Sequence, residues 1–205
     1  MKQVIPHDTI KRLALYLRSL RYLAKKKVEV ISSQRLAERI YASPSQMRKD
    51  LAYFGEFGIR GVGYNVKKLI AEIESILKLK KKRKVALIGI GKLGTALLAY
   101  SGFEKFGFRI SALFDNNSGK IGKKIFGLKI EDIARTKEVL KRERIKIGII
   151  TVPAADAQEV TDRLITSGIK AILNFTPRYL NIPEGIMINT VDMAIELESL
   201  TYYLP

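Results

Sequence analysis

The chain of 205 residues contains no cysteine and no tryptophan, and it has a single histidine. Without cysteine it has no disulfide, no thiolate metal ligand and no cysteine nucleophile, which is compatible with a reducing cytoplasm. No apolar run approaches the ~20 residues that a membrane helix needs. The N-terminus also lacks the apolar segment of a secretory signal. We therefore expect a cytoplasmic protein without a membrane partner.

Acidic residues are scarce in the first part of the chain. Residues 1–84 carry 21 Lys/Arg against 7 Asp/Glu, whereas residues 85–205 carry 16 against 13, so most of the net charge of +17 lies in the first part. Concentrated positive charge attracts a polyanion and releases its counterions. A lysine-rich surface that serves solubility is the alternative. The asymmetry favours two domains with different partners, the first of them nucleic acid.

The basic part has the pattern of a winged-helix domain, predicted over residues 1–80. Apolar residues recur at helical spacing in three stretches, residues 9–26, 33–40 and 44–54. Thr9 is a candidate N-cap of the first helix, and Ser43 and Gln46 form a candidate capping box before the third. A short turn between the second and third helices is typical of a helix-turn-helix. The glycine-spaced stretch that follows, residues 55–64, predicts a hairpin wing.

The third helix and the wing carry the predicted DNA contacts. At 100° per residue, Met47, Leu51 and Phe54 share one face of the third helix and should be buried. Polar side chains of the opposite face are the types that reach base edges and phosphates in a major groove. An arginine between glycines is placed to enter a minor groove. The predicted contacts are Ser45, Gln46, Arg48, Lys49, Tyr53 and Arg60.

After the lysine-rich linker at residues 80–84, the period of the apolar residues changes. Continuous apolar runs predict buried parallel strands near residues 85–88, 110–114, 147–151, 171–175 and 186–189. Helical stretches lie between most of these strands, and a last helix follows from about residue 191. The chain is therefore an α/β protein whose second domain, residues 81–190, is predicted to be a Rossmann fold with a doubly wound parallel sheet.

A glycine-rich motif follows the first strand of this domain, with the sequence Gly89-Ile90-Gly91-Lys92-Leu93-Gly94. Between a buried strand and a helix, the three glycines permit a tight turn, close approach of a pyrophosphate and close helix–strand packing. Asp115 ends the second strand, where an acidic residue accepts the ribose hydroxyls of NAD and repels the phosphate of NADP. The nearby Lys120, Lys123 and Lys124 weaken this preference. The alternative is that the glycines only shape a turn.

Two further loops follow strands of the predicted sheet and are expected to line the same crevice. Thr151, Val152 and Pro153 follow one strand, and Asn174 lies at the end of another. By the switch-point rule they face the nicotinamide half of the ligand. The prolines are explained equally well as ordinary loop residues that have no binding role.

The residues that a dehydrogenase needs beside a nicotinamide are missing. A proton donor or acceptor is required there, and the single histidine, His7, lies far upstream in the basic half. The pair Tyr22 and Lys26 has Tyr-x-x-x-Lys spacing but lies on the first predicted helix. No His/Asp/Glu cluster has metal-ligand spacing. We therefore expect a nucleotide sensor with no catalytic residue and no metal.

The stretch from Ser45 to Gly55, the following Phe57-Gly58 and the run from Arg60 to Tyr64 closely resemble the Rex family of bacterial redox-sensing repressors. The resemblance extends through the glycine motif and Leu173-Asn174-Phe175 to Val191-Asp192. It covers nearly the whole chain, and its DNA-binding stretch is the most specific part.

The resemblance implies a homodimer that binds double-stranded DNA at a palindromic operator. Residues 191–205 would form a domain-swapped helix that inserts into the partner subunit. NADH would close the two Rossmann domains together and release the operator, while NAD would compete without driving closure. A switch network would involve Arg18, Tyr100 and Asp192. Met193 departs from the aromatic residue that some members place against the nicotinamide.

Three alternatives remain at this point. An NAD-dependent dehydrogenase with a basic DNA-binding appendage would need a base in the cleft. A repressor that binds a CoA derivative would not need the acidic residue at Asp115. A DNA-binding protein with a ligand-free α/β domain would not need the glycine motif.

Overall fold

The computed structural model describes residues 5–204. The chain divides into two compact units, one ending at Lys81 and the other beginning at Lys82. The first unit contains, in chain order, α1 (His7–Lys25), β1 (Val30–Ile31), α2 (Ser33–Glu38), α3 (Pro44–Ala52), β2 (Gly58–Ile59), β3 (Gly63–Asn65) and α4 (Val66–Ile76).

The first unit is a winged helix built around one apolar core. Leucines of α1 pack with Leu36 of α2, with Met47 and Leu51 of α3 and with Leu69 of α4, all almost fully buried. Strands β1, β3 and β2 form an antiparallel sheet in that order. The predicted helices and wing are confirmed, but β1 was not predicted because two residues carry no readable alternation.

The start of α1 differs from the prediction. The helix begins at His7 with Pro6 as its N-cap residue, so Thr9 lies inside the first turns and the predicted cap is wrong. The Thr9 hydroxyl is buried and donates to the carboxylate of Asp50 on α3. At the start of α3, by contrast, Ser43 accepts a hydrogen bond from the Gln46 N–H, which is the first half of the predicted capping box. The Gln46 side chain donates to Asp50 instead of completing the box.

Asp50 is the polar centre of the first unit and has no solvent exposure. Its carboxylate accepts from Arg12 Nε at 2.6 Å and Arg12 Nη2 at 2.8 Å, and from the Tyr16 hydroxyl at 3.0 Å. Thr9 Oγ1 donates at 3.0 Å and Gln46 Nε2 at 2.9 Å. Three of these donor residues lie on α1, so the carboxylate ties α3 to α1.

These hydrogen bonds decide the charge state of Asp50. Burial alone raises the pKa of Asp50, but the hydrogen bonds from Arg12, Gln46, Tyr16 and Thr9 outweigh burial and hold the pKa below its usual value. The carboxylate is therefore ionised wherever the protein is folded near neutral pH.

The second unit contains a seven-stranded sheet with helices around it. Its strands are β4 (Arg83–Ile88), β5 (Phe108–Asp115), β6 (Lys124–Ile125), β7 (Leu128–Asp132), β8 (Ile147–Ile150), β9 (Ala171–Asn174) and β10 (Met187–Thr190). Its helices are α5 (Lys92–Ala99), α6 (Gly102–Lys105), α7 (Thr136–Glu143), α8 (Ala157–Thr166) and α9 (Met193–Thr201), with a 3-10 turn at Ile133–Arg135.

The strand order is β10-β9-β8-β4-β5-β7-β6, and all neighbours are parallel except the β6–β7 hairpin. The order reverses between β4 and β8, which is the switch point where ligands bind in such sheets. Strands β6 and β7 are not among the predicted strands, and they lie just before a segment where the apolar spacing favours a helix. Leu128 and Ile130 alternate with Lys129 and Glu131, a strand signal too short to outweigh the helical pattern that follows.

Helix α9 ends the described part of the second unit. Asp192 is its N-cap, and its carboxylate accepts from the Ala194 N–H at 2.9 Å. All of α9 lies within the described residues, and none of its side chains is buried. Its exposed apolar side chains, with those of the residues just after it, are Met193, Ile195, Leu197, Leu200, Tyr202, Tyr203 and Leu204.

We predict that Asp50→Asn lowers the free energy of unfolding by about 3 kcal/mol near neutral pH, because Arg12 and Tyr16 lose a charged acceptor. The depressed pKa of Asp50 means that this stabilisation is present above about pH 4 and is lost as the pH falls through the folded-state value. Urea denaturation of both proteins near pH 7 and near pH 3 measures the effect.

The matched control is Asp8→Asn, which removes an exposed carboxylate from the same end of α1. The control should stay within about 0.5 kcal/mol of wild type. Equal stability of Asp50→Asn and wild type at neutral pH would contradict the role given to this cluster.

Candidate nucleotide-binding and DNA-binding sites

The loop between β4 and α5 is held in a conformation that requires glycine. Gly89 has a φ of 91°, and a Cβ there would approach the Thr151 carbonyl oxygen at 2.8 Å. The Thr151 hydroxyl lies within 2.7 Å of the Gly89 carbonyl oxygen and within 3.0 Å of that of Ile88. The loops after β4 and β8 are thus fastened to each other at the switch point.

Gly91 and Gly94 serve the two purposes that the motif predicts. A Cβ on Gly94 would fall on the Gly89 carbonyl oxygen, so only glycine lets α5 pack this closely on the loop. A Cβ on Gly91 would meet nothing within 4 Å. The space above Gly91 therefore lies open at the N-terminus of α5, where free N–H groups favour an anion.

Asp115 lies at the carboxyl end of β5 with 5% exposure. Its Oδ2 accepts from the Ile90 N–H at 2.8 Å and from Lys120 Nζ at 3.0 Å, and its Oδ1 accepts from the Asn117 N–H at 2.9 Å. Burial raises the pKa of Asp115, but these hydrogen bonds outweigh burial and hold the pKa below its usual value. The ionised carboxylate therefore also supports the glycine loop, which the sequence did not indicate.

A cavity of about 390 Å³ lies at the switch point, within the size range of small-molecule sites. It brings together Gly89, Gly91 and Asp115 with Thr151, Val152 and Pro153, as the sequence predicts. Gly94 lies buried beneath the loop. Lys92 and Leu93 form the first turn of α5 and are not among the residues that line the cavity.

Asn174 is placed differently from the prediction. Its side chain is fully buried and is not part of the cavity lining. Its amide oxygen accepts from the backbone N–H and the hydroxyl of Thr176, and its amide nitrogen donates to the Thr176 carbonyl at 3.0 Å. The residue holds the loop after β9, and a contact with a nucleotide stays a prediction.

Several cavity residues were absent from the predicted site. Asn116, Asn117 and Lys120 come from the turn after β5, and Asp156 precedes α8. In the sequence, Lys120 is one of three lysines that closely follow Asp115. Sequence spacing does not distinguish it from Lys123 and Lys124, because only the turn decides which of them faces the carboxylate.

In the first unit, α3 and the wing enclose an open groove of about 720 Å³. Arg48 lines the groove and donates from Nη1 to the Ser33 hydroxyl at 3.0 Å, while Arg60 lines it from the wing. Lys49 and Ser45 are exposed on α3, and Ser45 Oγ lies 2.9 Å from Ser43 Oγ. The structure thus places four predicted DNA contacts at the surface of this unit.

Gln46 and Tyr53 are less accessible than predicted. The Gln46 side chain donates to Asp50, so it turns toward α1, and Tyr53 is half-buried at the end of α3. Buried Asp50 could not be recognised from sequence, since its spacing from Gln46 also fits an exposed helical pair.

The three residues of the predicted switch are all accessible to some degree. Arg18 is exposed on α1. Tyr100 is exposed at the end of α5, with its ring edge-to-face on Phe103 at 5.2 Å. Asp192 is half-buried as the N-cap of α9. Their coupling stays a prediction.

Two other kinds of feature are absent from residues 5–204. No helix there is long and apolar enough to cross a membrane. In the same described range, no three His, Cys, Asp or Glu side chains are grouped so that they could hold a metal ion.

Two family models match the chain. One, described as a CoA binding domain, matches residues 80–178, and another, described as a putative DNA-binding protein N-terminus, matches residues 4–52. These matches fall on the Rossmann unit and on the winged-helix unit, and with the solved structures below they confirm the predicted fold class.

Curated relatives match almost end to end. The redox-sensing transcriptional repressor Rex of Roseiflexus sp. strain RS-1 is 48% identical, covering 97% of this chain and 90% of the relative. That of Chloroflexus aurantiacus is 49% identical, covering 97% and 94%.

The solved structures of RSP, a Rex-family repressor, also match almost end to end. A complex of RSP with beta-NAD+ and operator DNA has a TM-score of 0.91 at 38% identity, covering 98% of this chain and 93% of RSP. A complex of RSP with beta-NADH has a TM-score of 0.88 at 37% identity, covering 98% and 95%.

The fold and the two sites define a regulator that joins a winged helix to a Rossmann domain. At this level of identity over nearly the whole chain, the particular family follows directly. The chain belongs to the Rex family of redox-sensing transcriptional repressors. The relatives are repressors by name, so the prediction of a regulator rather than an enzyme is confirmed.

We predict that Gly94→Ala mainly destabilises the fold, whereas Gly91→Ala mainly weakens NADH binding. Gly94→Ala should lower the free energy of unfolding by about 2 kcal/mol, because its Cβ has no space beside the Gly89 carbonyl. Gly91→Ala should change it by less than about 1 kcal/mol yet weaken NADH binding at least about tenfold, since its methyl group enters the pyrophosphate space.

Thermal unfolding and NADH titration of both variants measure these effects. A Gly91→Ala protein that binds NADH as wild type does would contradict the placement of the pyrophosphate.

Proposed function

We propose that this chain is a DNA-binding transcriptional repressor that senses the NADH/NAD balance in the cytoplasm. The observation that carries the proposal is the open space at Gly91 beside the buried Asp115 carboxylate, in a chain whose other unit presents a basic helix and wing. NADH binding would close the dimer and release operator DNA.

The nucleotide half of the proposal is supported by the chemistry of the cavity. The N-terminus of α5 is suited to a pyrophosphate, and a carboxylate at the end of the second Rossmann strand is suited to a ribose diol. The predicted ligand contacts are retained as a proposal: Gly89, Gly91, Lys92, Leu93, Gly94, Asp115, Thr151, Val152, Pro153 and Asn174. The complexes of RSP with NAD+ and with NADH support the choice of ligand.

The DNA half is supported by the exposed cations of α3 and the wing. Arg48 and Arg60 line the same groove, and Lys49 is exposed beside it. We retain Ser45, Gln46, Arg48, Lys49, Tyr53 and Arg60 as the proposed DNA contacts. For Gln46 a base contact would use the part of its amide that does not donate to Asp50.

We further propose a homodimer on a palindromic operator. The apolar side chains of α9 lie exposed on the single chain, and burying them in a second subunit would remove a large apolar area from water. The proposed domains are residues 1–80 for DNA, residues 81–190 for the nucleotide and residues 191–205 as a swapped helix.

The proposed switch couples the two ligands through Arg18, Tyr100 and Asp192. Ligand moves such an equilibrium only by its differential affinity for the open and closed dimers. A tenfold loss of operator affinity requires about 1.4 kcal/mol of coupling, which lies within the usual allosteric range.

We predict that NADH releases the purified protein from a palindromic duplex of its own upstream region, and that NAD at the same concentration does not. Fluorescence anisotropy at fixed salt measures this, since affinity for DNA depends on salt. CoA and acetyl-CoA form a further arm, because the family model over residues 80–178 is described by CoA binding. Binding that ignores NADH and responds to CoA would contradict the proposal.

We predict that Arg60→Ala weakens operator binding at least about tenfold while leaving NADH affinity unchanged, because the wing loses its only arginine. The slope of log affinity against log salt should fall by about 1. The control is Arg163→Ala on α8, which removes the same charge from the other unit. Equal losses in both variants would mean that net charge, and not the wing, governs affinity.

A further inference from the structure

The turn between α2 and α3 contains a tyrosine in a backbone conformation that tyrosine rarely adopts. Tyr41 has a φ of 56°, in the left-handed region. Its N–H donates to the Glu38 carbonyl at 3.3 Å, and the Ala42 N–H donates to the Ala37 carbonyl at 3.0 Å. These two hydrogen bonds define the Schellman motif that ends many helices, in which the left-handed residue is usually glycine.

The packing of the first unit requires this turn but not the tyrosine. Ala37 is fully buried and Ala42 packs against the same core, so these two residues fix the turn. Tyr41, by contrast, is fully exposed. The left-handed conformation costs a bulky residue energy that it does not cost glycine. At the end of α8, Gly168 adopts this conformation with the same two hydrogen bonds, so glycine would serve the fold better than Tyr41 does.

Other helices of the chain end in the same way without glycine, and there a positive charge explains the choice. Lys27 after α1, Lys78 after α4 and Arg144 after α7 have φ values of 61°, 54° and 55°. A cation is favoured at a helix C-terminus by the helix dipole. The neutral phenol of Tyr41 gains nothing from the dipole. Because residues held in strained conformations are concentrated at functional sites, the tyrosine itself points to a function.

The position of Tyr41 in the first unit indicates what it binds. Tyr41 lies two residues before Ser43, the N-cap of α3, and therefore within about 7 Å of the start of the proposed recognition helix. The N-terminal residues of such a helix contact base edges in the major groove, so the turn before it lies beside the sugar-phosphate backbone. Exposed Arg35 and Arg39 precede Tyr41, with exposed Glu38 between them, and the net positive charge favours a polyanion.

We infer that the Tyr41 hydroxyl donates a hydrogen bond to a phosphate of the operator backbone, at the edge of the groove that α3 enters. Tyrosine is among the side chains that bind phosphates in DNA complexes, and such contacts position the protein without reading the sequence. A neutral hydroxyl displaces no counterion, so this contact leaves the salt dependence of binding unchanged, unlike a contact from lysine or arginine. The inference rests on the proposed function in that the first unit binds DNA.

The experiment compares the wild-type protein with Tyr41→Phe and Tyr41→Gly in anisotropy titrations of the operator duplex without nucleotide. Tyr41→Phe removes only the hydroxyl and should weaken binding at least about tenfold, because a hydrogen bond to a charged acceptor is lost at each half-site. Tyr41→Gly should weaken binding at least as much. It should nevertheless melt no lower than wild type, because glycine relieves the strain of the left-handed conformation.

Two further readouts separate a backbone contact from other roles of the residue. The slope of log affinity against log salt should keep its wild-type value in Tyr41→Phe, whereas Arg60→Ala lowers it by about 1. A scrambled duplex of the same length should lose affinity by the same factor as the operator, since a phosphate contact is independent of sequence. The control is Tyr179→Phe, which removes the hydroxyl of an exposed tyrosine in the second unit and should bind DNA as wild type does.

Four results would overturn the inference while leaving the proposed function intact. They are wild-type operator affinity in Tyr41→Phe, an equal loss in Tyr179→Phe, a loss confined to the operator sequence, and a lower melting temperature in Tyr41→Gly. Failure of the wild-type protein to bind the duplex would contradict the proposed function itself, and this inference with it.

Discussion

A buried carboxylate must have its acceptor positions filled, and this constraint organises both units of the chain. Asp50 draws donors from α1 and α3 and thereby sets the recognition helix against the helix that supports it. Asp115 draws the Ile90 and Asn117 N–H groups toward it and thereby holds the glycine loop and the turn after β5. In each case the carboxylate holds the local architecture, because an unpaired buried charge is too costly to leave. Asp115 also lines the nucleotide cavity.

The same constraint changes how functional residues are interpreted. Gln46 and Asn174 belong to residue types that bind bases or nucleotides, yet their amides satisfy other buried polar groups. Arg60 is exposed, and a Cβ on Gly91 would meet no atom within 4 Å. Neither position satisfies a buried polar group. Residues of the second kind are therefore the cleaner targets for separating binding from folding.

Helix α9 combines a capped N-terminus with an exposed apolar surface. Its polar start is well formed, with Asp192 as the N-cap, but its apolar side chains have no buried surroundings in the single chain. Helices of this kind gain most of their stability from packing of the apolar face. For this reason we propose that the regulator is a dimer in which a second subunit covers the apolar side chains of α9.

Sequence alone determined the two-domain order, the helix-turn-helix with its wing, and the glycine motif before a helix, because each depends on local periodicity and on residues close in the chain. It did not reveal β1 or the β6–β7 hairpin, whose short strands are defined by their neighbours in the sheet. Nor did it reveal the three partners of Asp50 on α1, which lie 34 to 41 residues away in the chain. The choice of Lys120 over Lys123 and Lys124 likewise depends on the turn after β5. These features were decided by tertiary structure, because the burial of a charge and the donors that satisfy it exist only once distant segments meet.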